Sequence, residues 1–392
     1  MAFVRMLTIL TRDKKIGENI VPIVPDEART FGMDGMFRQL GIYSSVGQLY
    51  TPEDRDQVMF YKEDKTGQIL EEGITEAGGM SSWIAAATAY STHGVNMIPF
   101  FVYYSMFGFQ RIGDFAWAAG DMRARGFMIG GTAGRTTLNG EGLQHEDGHS
   151  HVLASTIPNC ICYDPCFAYE MAVIIQDGMR RMMQDQEDVF YYITAMNENY
   201  KHPALPEGSE QGIIKGMYKL QSTAPGNQQR VNLLGSGVIL REAIAAAEML
   251  EKDWNIGSDI WSVTSFTELR RDGLAASRWN NLNPTETPKV PYVAELLNEY
   301  PNPVVATSDY MKTLSDGLRE FIEAPYKVLG TDGFGRSDSR EKLRDFFEID
   351  RRYVVVTALN ALREQNKLDA SVVSDAIKKY GLDPNKTDPV SS

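Results

Sequence analysis

Apolar and polar positions alternate along this chain between two spacings. From Met97 to Tyr104 the residues are apolar without interruption, as a strand buried on both faces requires. Just after it, Ile112, Phe115, Ala116, Ala119 and Met122 recur at helical spacing. Phe3, Val4, Met6, Leu7 and Leu10 form an earlier helical stripe, and NIVPIVPDEART reads as a strand ending in the acids Asp26 and Glu27. Between these lie a polar, loop-rich stretch from Gly41 to Gly67 and an Ala-rich helix from about Ser81 to Ala89. Glu76 stands before that helix at a Gly-flanked turn. Further strands are expected in FMIGGTA, at about Ile157 to Tyr163 and from Val189 to Ala195, with an amphipathic helix from Phe167 to about Gln184.

Residues Asn197 to Gly212 carry prolines, glycines and charges without periodicity and read as a linker. The alternation then restarts. VNLLGSGVILREAIAAAEMLEKD predicts strand, glycine turn and helix. SDIWSVTSF, PVVATSDY and YKVLGTDGF are strand candidates among helical segments such as YVAELLNEY, MKTLSDGLREFI and SREKLRDFF. The chain ends in RRYVVVTALNALREQ and SVVSDAIKKYGL, both helical. Strands alternating with helices in both halves predict an α/β fold of two doubly wound parallel-sheet domains.

Length and composition narrow the function. At 392 residues the chain has material for two or three domains, and 43% hydrophobic with 23% charged residues is ordinary for a globular protein. A net charge of −13, with no basic run, argues against nucleic acid, whose phosphates draw affinity from clustered lysine and arginine. The longest apolar run, Met97 to Phe109, is too short to span a bilayer, so no membrane role is expected. The first residues lack a long apolar core and a small-residue cleavage site, which makes the cytoplasm the default location. The three cysteines, Cys160, Cys162 and Cys166, match neither zinc nor iron–sulfur spacing and read as small apolar residues.

Candidate chemistry concentrates between Ile129 and His151, IGGTAGRTTLNGEGLQHEDGHSH, which holds three of the five histidines, two glutamates, an aspartate and six glycines. Glycine permits tight turns and near approach to a ligand. His145, His149 and His151 with their neighbouring carboxylates invite a metal reading, that of a hydrolase, although no distant third ligand is apparent. A solvated acidic loop is the plain alternative. Neither a dinucleotide fingerprint, nor a phosphate loop, nor a GxSxG elbow is present. Asp26 and Glu27 sit where a parallel sheet lines its ligand crevice, or else begin a helix.

Several long motifs strongly resemble one family. GITEAGGMSSWIAAATAYSTHG, IPFFVYYSMFGFQRIGDFAWAAGDMRARGF, GGTAGRTTLNGEGLQHEDGHSH, IPNCICYDPCFAYE, NENYKHPA and LGTDGFGRSDSRE resemble the homodimeric bacterial pyruvate dehydrogenase E1 component. The likeness runs through essentially the whole chain but covers only the later part of that family's. It implies a transketolase-like pyrimidine-binding domain over 1–205 and a transketolase C-terminal-like domain over 206–392. The family's diphosphate-binding domain, whose GDG motif holds magnesium and the diphosphate, is expected on another polypeptide segment, since no GDG occurs here.

The resemblance also implies a cofactor, a reaction and a set of residue roles. The cofactor it implies is thiamine diphosphate with Mg2+, and the reaction is oxidative decarboxylation of pyruvate with acetyl transfer to a lipoyl group of the acetyltransferase component. Glu76 matches the acid that exchanges a proton with N1′ of the aminopyrimidine. Tyr104 and Phe107 match aromatics around that ring, Arg111 lies beside them, and Asp26 and Glu27 match an acidic pair near the cofactor. His145 matches a group for proton transfer or substrate orientation, with Glu141 supporting it through hydrogen bonds. The family's active site forms between two subunits, so a homodimer partnered by the diphosphate-binding half and the lipoyl domain is expected. A non-catalytic assembly subunit of the same fold is the alternative. From about Gln211 onward no residue carries a chemical signature, and that half reads as a dimerisation and support domain.

Overall fold

The structure, a computed structural model, describes residues 2–25, 28–223 and 229–392. Asp26 and Glu27, the expected acidic pair, lie outside the described residues. The chain forms two compact units that are discontinuous in sequence. The first comprises Met1–Ala133, Leu153–Cys162 and Ile174–Asn197. The second comprises Gly134–Val152, Tyr163–Val173 and Glu198–Ser392.

The strands, in chain order, are β1 Ile20–Val24, β2 Ile42–Tyr43, β3 Glu63–Asp64, β4 Leu70–Glu71, β5 Ile98–Tyr104, β6 Phe127–Gly131, β7 Cys160–Tyr163, β8 Phe190–Ala195, β9 Met217–Ser222, β10 Arg230–Gly235, β11 Gly257–Val263, β12 Val304–Thr307 and β13 Tyr326–Leu329. The first sheet has the order β4-β1-β5-β6-β8-β7, and its β1, β5 and β6 pair in parallel with their neighbours. β5 is buried along all but its last residue, which explains its unbroken apolar run. Phe100 of β5 stacks on Phe127 of β6, ring centroids 4.6 Å apart. On the other face Trp83, Phe101, Tyr103, Phe190 and Tyr192 form the core together with Cys160 and Cys162. Trp83 donates its Nε1–H to the Phe127 carbonyl at 3.1 Å, so the indole is buried without an orphaned donor.

The second sheet has the order β13-β12-β10-β11-β9. Four strands are parallel, while β9 runs antiparallel to β11. The alternation of elements does not predict this edge strand. Its residues fade from buried to exposed along its length, so it has no continuous apolar run to announce it. Helices Leu240–Trp254 and Arg351–Glu364 pack on this sheet through Ala243, Ala246, Leu250, Val355, Ala358 and Leu359.

Two helix starts differ from the periodicity of the sequence. The Ala-rich helix begins at Glu76, not near Ser81, and spans Glu76–Ala87. Thr75 caps it in an extended conformation, its side chain accepting the Gly78 N–H at 3.2 Å. Gly78 and Gly79 look like a turn in the sequence, yet they are helical. A Cβ on Gly79 would lie 2.5 Å from Phe101 Cε2, so this glycine lets the helix approach β5. The next helix spans Gly108–Asp121, and a Cβ on Gly108 would meet the Tyr103 ring at 2.1 Å.

Candidate active site

The first unit brings together four of the expected residues. β5 ends at Tyr104, a short turn follows, and Phe107 immediately precedes the helix Gly108–Asp121. The two aromatic rings stand edge to face at the carboxyl end of this parallel strand, centroids 6.0 Å apart. One turn into the helix, the Arg111 guanidinium lies over the Phe107 ring at 4.1 Å. Its Nη1 donates to both carboxylate oxygens of Glu76, at 3.0 and 2.9 Å.

Glu76 is only 8% exposed, and it opens the helix Glu76–Ala87. Free N–H groups and the positive end of the helix dipole favour a carboxylate there. Arg111 adds a half-exposed cation to the same carboxylate. Phe31, which no sequence motif singles out, packs on Tyr104 at 5.1 Å. Gly131, at the end of β6, lies against the Phe31 ring, which a Cβ there would meet at 2.7 Å. A buried carboxylate beside half-buried aromatic rings suits a flat, nitrogen-containing heteroaromatic ligand.

Glu141 and His145 belong to the second unit. His145 Nδ1 lies 3.5 Å from Glu141 Oε2, with the imidazole mostly buried and the carboxylate half exposed. The spacing of four residues does place the pair side by side, but on a hydrogen-bonded turn and not on a helix. His145 N–H donates to the Gly142 carbonyl at 3.2 Å, and Gly140 and Gly142 take positive φ of 86° and 74°.

The other two histidines of this loop go elsewhere. His149 Nδ1 lies 3.3 Å from Arg135 Nη2, and burial pushes its pKa below the ordinary imidazole value. His151 meets the Tyr310 ring edge-on at 4.8 Å. Among the described residues, no group of three or more His, Cys, Asp or Glu side chains converges on a possible metal position.

Several further buried polar groups surround this loop. Asp147 Oδ1 accepts the N–H groups of His149 and Ser150, each at 2.9 Å. Glu146 is fully buried, its Oε2 accepting the Arg336 N–H at 2.7 Å. Its Oε1 has no hydrogen-bond partner among the described residues. Burial raises its pKa to about 7, with a contribution from Asp309 and an opposing one from the Arg336 amide. Asp309 follows β12, where acids at carboxyl ends of parallel strands face the crevice. The rule that flags Asp26 and Glu27 would have found it.

Comparison with known proteins decides the family. Residues 1–203 match the pyruvate dehydrogenase E1 component middle domain, and residues 216–350 match the transketolase-like C-terminal domain. The chain belongs to the pyruvate dehydrogenase E1 family. It is 65% identical to the pyruvate dehydrogenase E1 component of Pseudomonas aeruginosa over 391 residues, covering 100% of this chain and 44% of that protein. It is 62% identical to that of Cupriavidus necator over 392 residues, again covering 44% of the relative. The chain thus spans less than half the length of these E1 relatives. Among solved structures, transketolase from Campylobacter jejuni superposes with a TM-score of 0.66 at 16% identity, covering 92% of this chain and 46% of the other. That likeness shows the transketolase-like α/β fold. Among the described residues, no helix of this E1 chain is long and apolar enough to cross a membrane.

Proposed function

We propose that this chain supplies the pyrimidine-binding and substrate-end groups of a pyruvate dehydrogenase E1 component. The reaction is thiamine diphosphate-dependent oxidative decarboxylation of pyruvate, with acetyl transfer to the lipoyl group of a dihydrolipoyl acetyltransferase. One observation carries this reading: a buried carboxylate, Glu76, opens a helix beside the aromatic pair Tyr104 and Phe107. The pyrimidine-binding domain is taken as 1–205 and the transketolase C-terminal-like domain as 206–392.

When bound, the cofactor supplies a nucleophilic carbon and an electron sink for decarboxylation. The chain's own residues hold and protonate. Glu76 holds the proton exchanged with a ring nitrogen, a task that needs a carboxyl group and not an amide. Tyr104 and Phe107 would hold the pyrimidine ring by apolar contact and keep water from it. Arg111 donates to both Glu76 oxygens, and each oxygen keeps a second lone pair with which it would meet a ring nitrogen. Glu141 stands 3.5 Å from His145 Nδ1 and orients the imidazole, to which we assign proton transfer or orientation of the substrate. The diphosphate and Mg2+ would be held by the diphosphate-binding half of E1, across a homodimer interface, in a cytoplasmic complex.

The test is reconstitution of this chain with that half, assayed by pyruvate-dependent dye reduction. Glu76→Gln should lower turnover by about a hundredfold or more while circular dichroism stays unchanged. Unchanged turnover would favour a non-catalytic assembly subunit. Full activity of the isolated chain with thiamine diphosphate would refute a shared active site.

A further inference from the structure

The segment carrying Glu141 and His145 leaves β6 of the first sheet, yet it packs with the second unit from Gly134 to Val152. Its attachment there is polar and buried. Asp309 is completely buried after β12, and its Oδ1 accepts both the N–H and the hydroxyl of Thr136, at 2.8 and 2.7 Å. Its Oδ2 accepts the Thr137 hydroxyl at 2.5 Å, and its carbonyl accepts the Arg135 N–H at 3.1 Å. Three consecutive loop residues are therefore fixed by one aspartate.

Arg135 then ties the two limbs of the loop together. Its Nη1 donates to the Thr331 carbonyl at 2.6 Å and also to that of Gly333. Its Nε reaches the Glu146 carbonyl at 3.4 Å and its Nη2 meets His149. Further out, Arg340 Nε donates to the Thr137 carbonyl at 2.6 Å, and the Gly140 N–H to the Asp338 carbonyl at 3.2 Å. Glu141 and His145 form the tip between these two anchored limbs.

We propose that Asp309 and Arg135 are positioning residues, which fix the Glu141–His145 pair by clamping the base of its loop to the second sheet. What the pair does rests on the function proposed above; the clamp does not. Burying a carboxylate among hydroxyl and amide donors costs desolvation that an apolar contact would avoid. What the polar contact adds is a fixed register, because each donor must meet its own acceptor. The clamp also accounts for the membership of Gly134–Val152 in the second unit.

The test uses the reconstituted holoenzyme. Asp309→Ala should lower kcat about ten- to a hundredfold per folded active site, since an error of about 1 Å at a reacting group costs that much. Affinity for thiamine diphosphate should hold, because Glu76, Tyr104 and Phe107 lie in the other unit. Asp309→Asn keeps an acceptor for Thr136 and should recover most of the rate. Destabilisation alone would lower the folded fraction and leave kcat per folded site unchanged, and that result overturns the proposal.

If Asp309→Ala does not fold, the double substitution Thr136→Val with Thr137→Val removes the same side-chain bonds from the other end. Backbone hydrogen exchange between residues 138 and 149 of that variant should then accelerate, with the rest of the second unit unaffected. Unchanged exchange overturns the clamp. This readout stands even where the wild-type holoenzyme fails to decarboxylate pyruvate, a failure that would refute the proposed function instead.

Discussion

One nitrogen of Arg111 grips both oxygens of Glu76, at 3.0 and 2.9 Å, and the same guanidinium rests on the Phe107 ring. The cation is half exposed and the carboxylate is not. Solvent therefore screens the pair from one side, and its contribution lies between that of a surface ion pair and that of a buried one. Arg111→Ala should destabilise the fold by about 1 kcal/mol, read as a lower urea midpoint at unchanged m-value. A loss as large as that of a fully buried pair would mean that the guanidinium is shielded from solvent in solution.

Gly79 controls how closely Glu76 approaches the sheet. Gly→Ala inside a helix normally gains about 0.5–1 kcal/mol. Here the added Cβ would stand 2.5 Å from Phe101 Cε2, and that ring is completely buried in the core. Overpacking of this kind costs about 1–3 kcal/mol, so strain outweighs propensity. Gly79→Ala should lower the thermal midpoint and also reduce turnover, by displacing the helix that begins at Glu76. A stabilised and fully active variant would show that this helix does not set the geometry of the site.

Much of this architecture is legible in the sequence, for a physical reason. Strands such as β5 are buried on both faces and must be apolar throughout, so the run from Met97 to Tyr104 announces itself. Half-exposed elements give weaker signals. Besides β9, the helix Phe266–Leu282 buries only a narrow stripe, Phe266, Leu269, Gly273 and Ala276, in an otherwise polar sequence, and its start is marked by the Ser265 cap, which accepts the Glu268 N–H at 3.0 Å. Glu76 stands out in its motif, but its helix start is masked by two glycines, one of which serves contact with Phe101. The partnership of Asp309 with Thr136 and Thr137 joins residues more than 170 positions apart, which no local pattern encodes. Hence the loop of Glu141 and His145 is legible as chemistry and not as part of the second unit.

Glu242 holds the second unit together without touching the proposed site. It is buried, and it accepts from Arg351 at 2.9 and 3.0 Å and from Arg344 at 3.4 Å. Burial alone would raise its pKa, but these cations outweigh burial and hold it below the ordinary carboxylate value. Glu242→Ala leaves the mostly buried Arg344 with Glu198 as its remaining carboxylate and frees the half-exposed Arg351, so it should cost about 1–3 kcal/mol, less than an uncompensated buried charge would. Turnover per folded site should be unaltered. A drop in kcat measured that way would place this network in the active site.

Glu146 should impose the opposite pH dependence. Its pKa rises from the ordinary 4.5 to about 7 on folding, chiefly through burial. Between those values the folded protein keeps a proton that the unfolded chain has released, so stability falls as pH increases through that window. The contribution is fully present below pH 4.5 and lost by about pH 7, and a shift of this size corresponds to at most about 3 kcal/mol. Groups with lowered pKa, Glu242 and Asp259 among them, act in the other direction, so the overall stability curve does not isolate Glu146. The difference between wild type and Glu146→Gln does. At pH 5 the glutamine variant should be slightly the less stable, because its amide buries N–H donors next to an oxygen position that has no partner among the described residues. By pH 8 the order should reverse, since only the wild type then buries a charge. Urea unfolding of both proteins at the two pH values reads this directly, and parallel curves would mean that Glu146 titrates as a solvated acid.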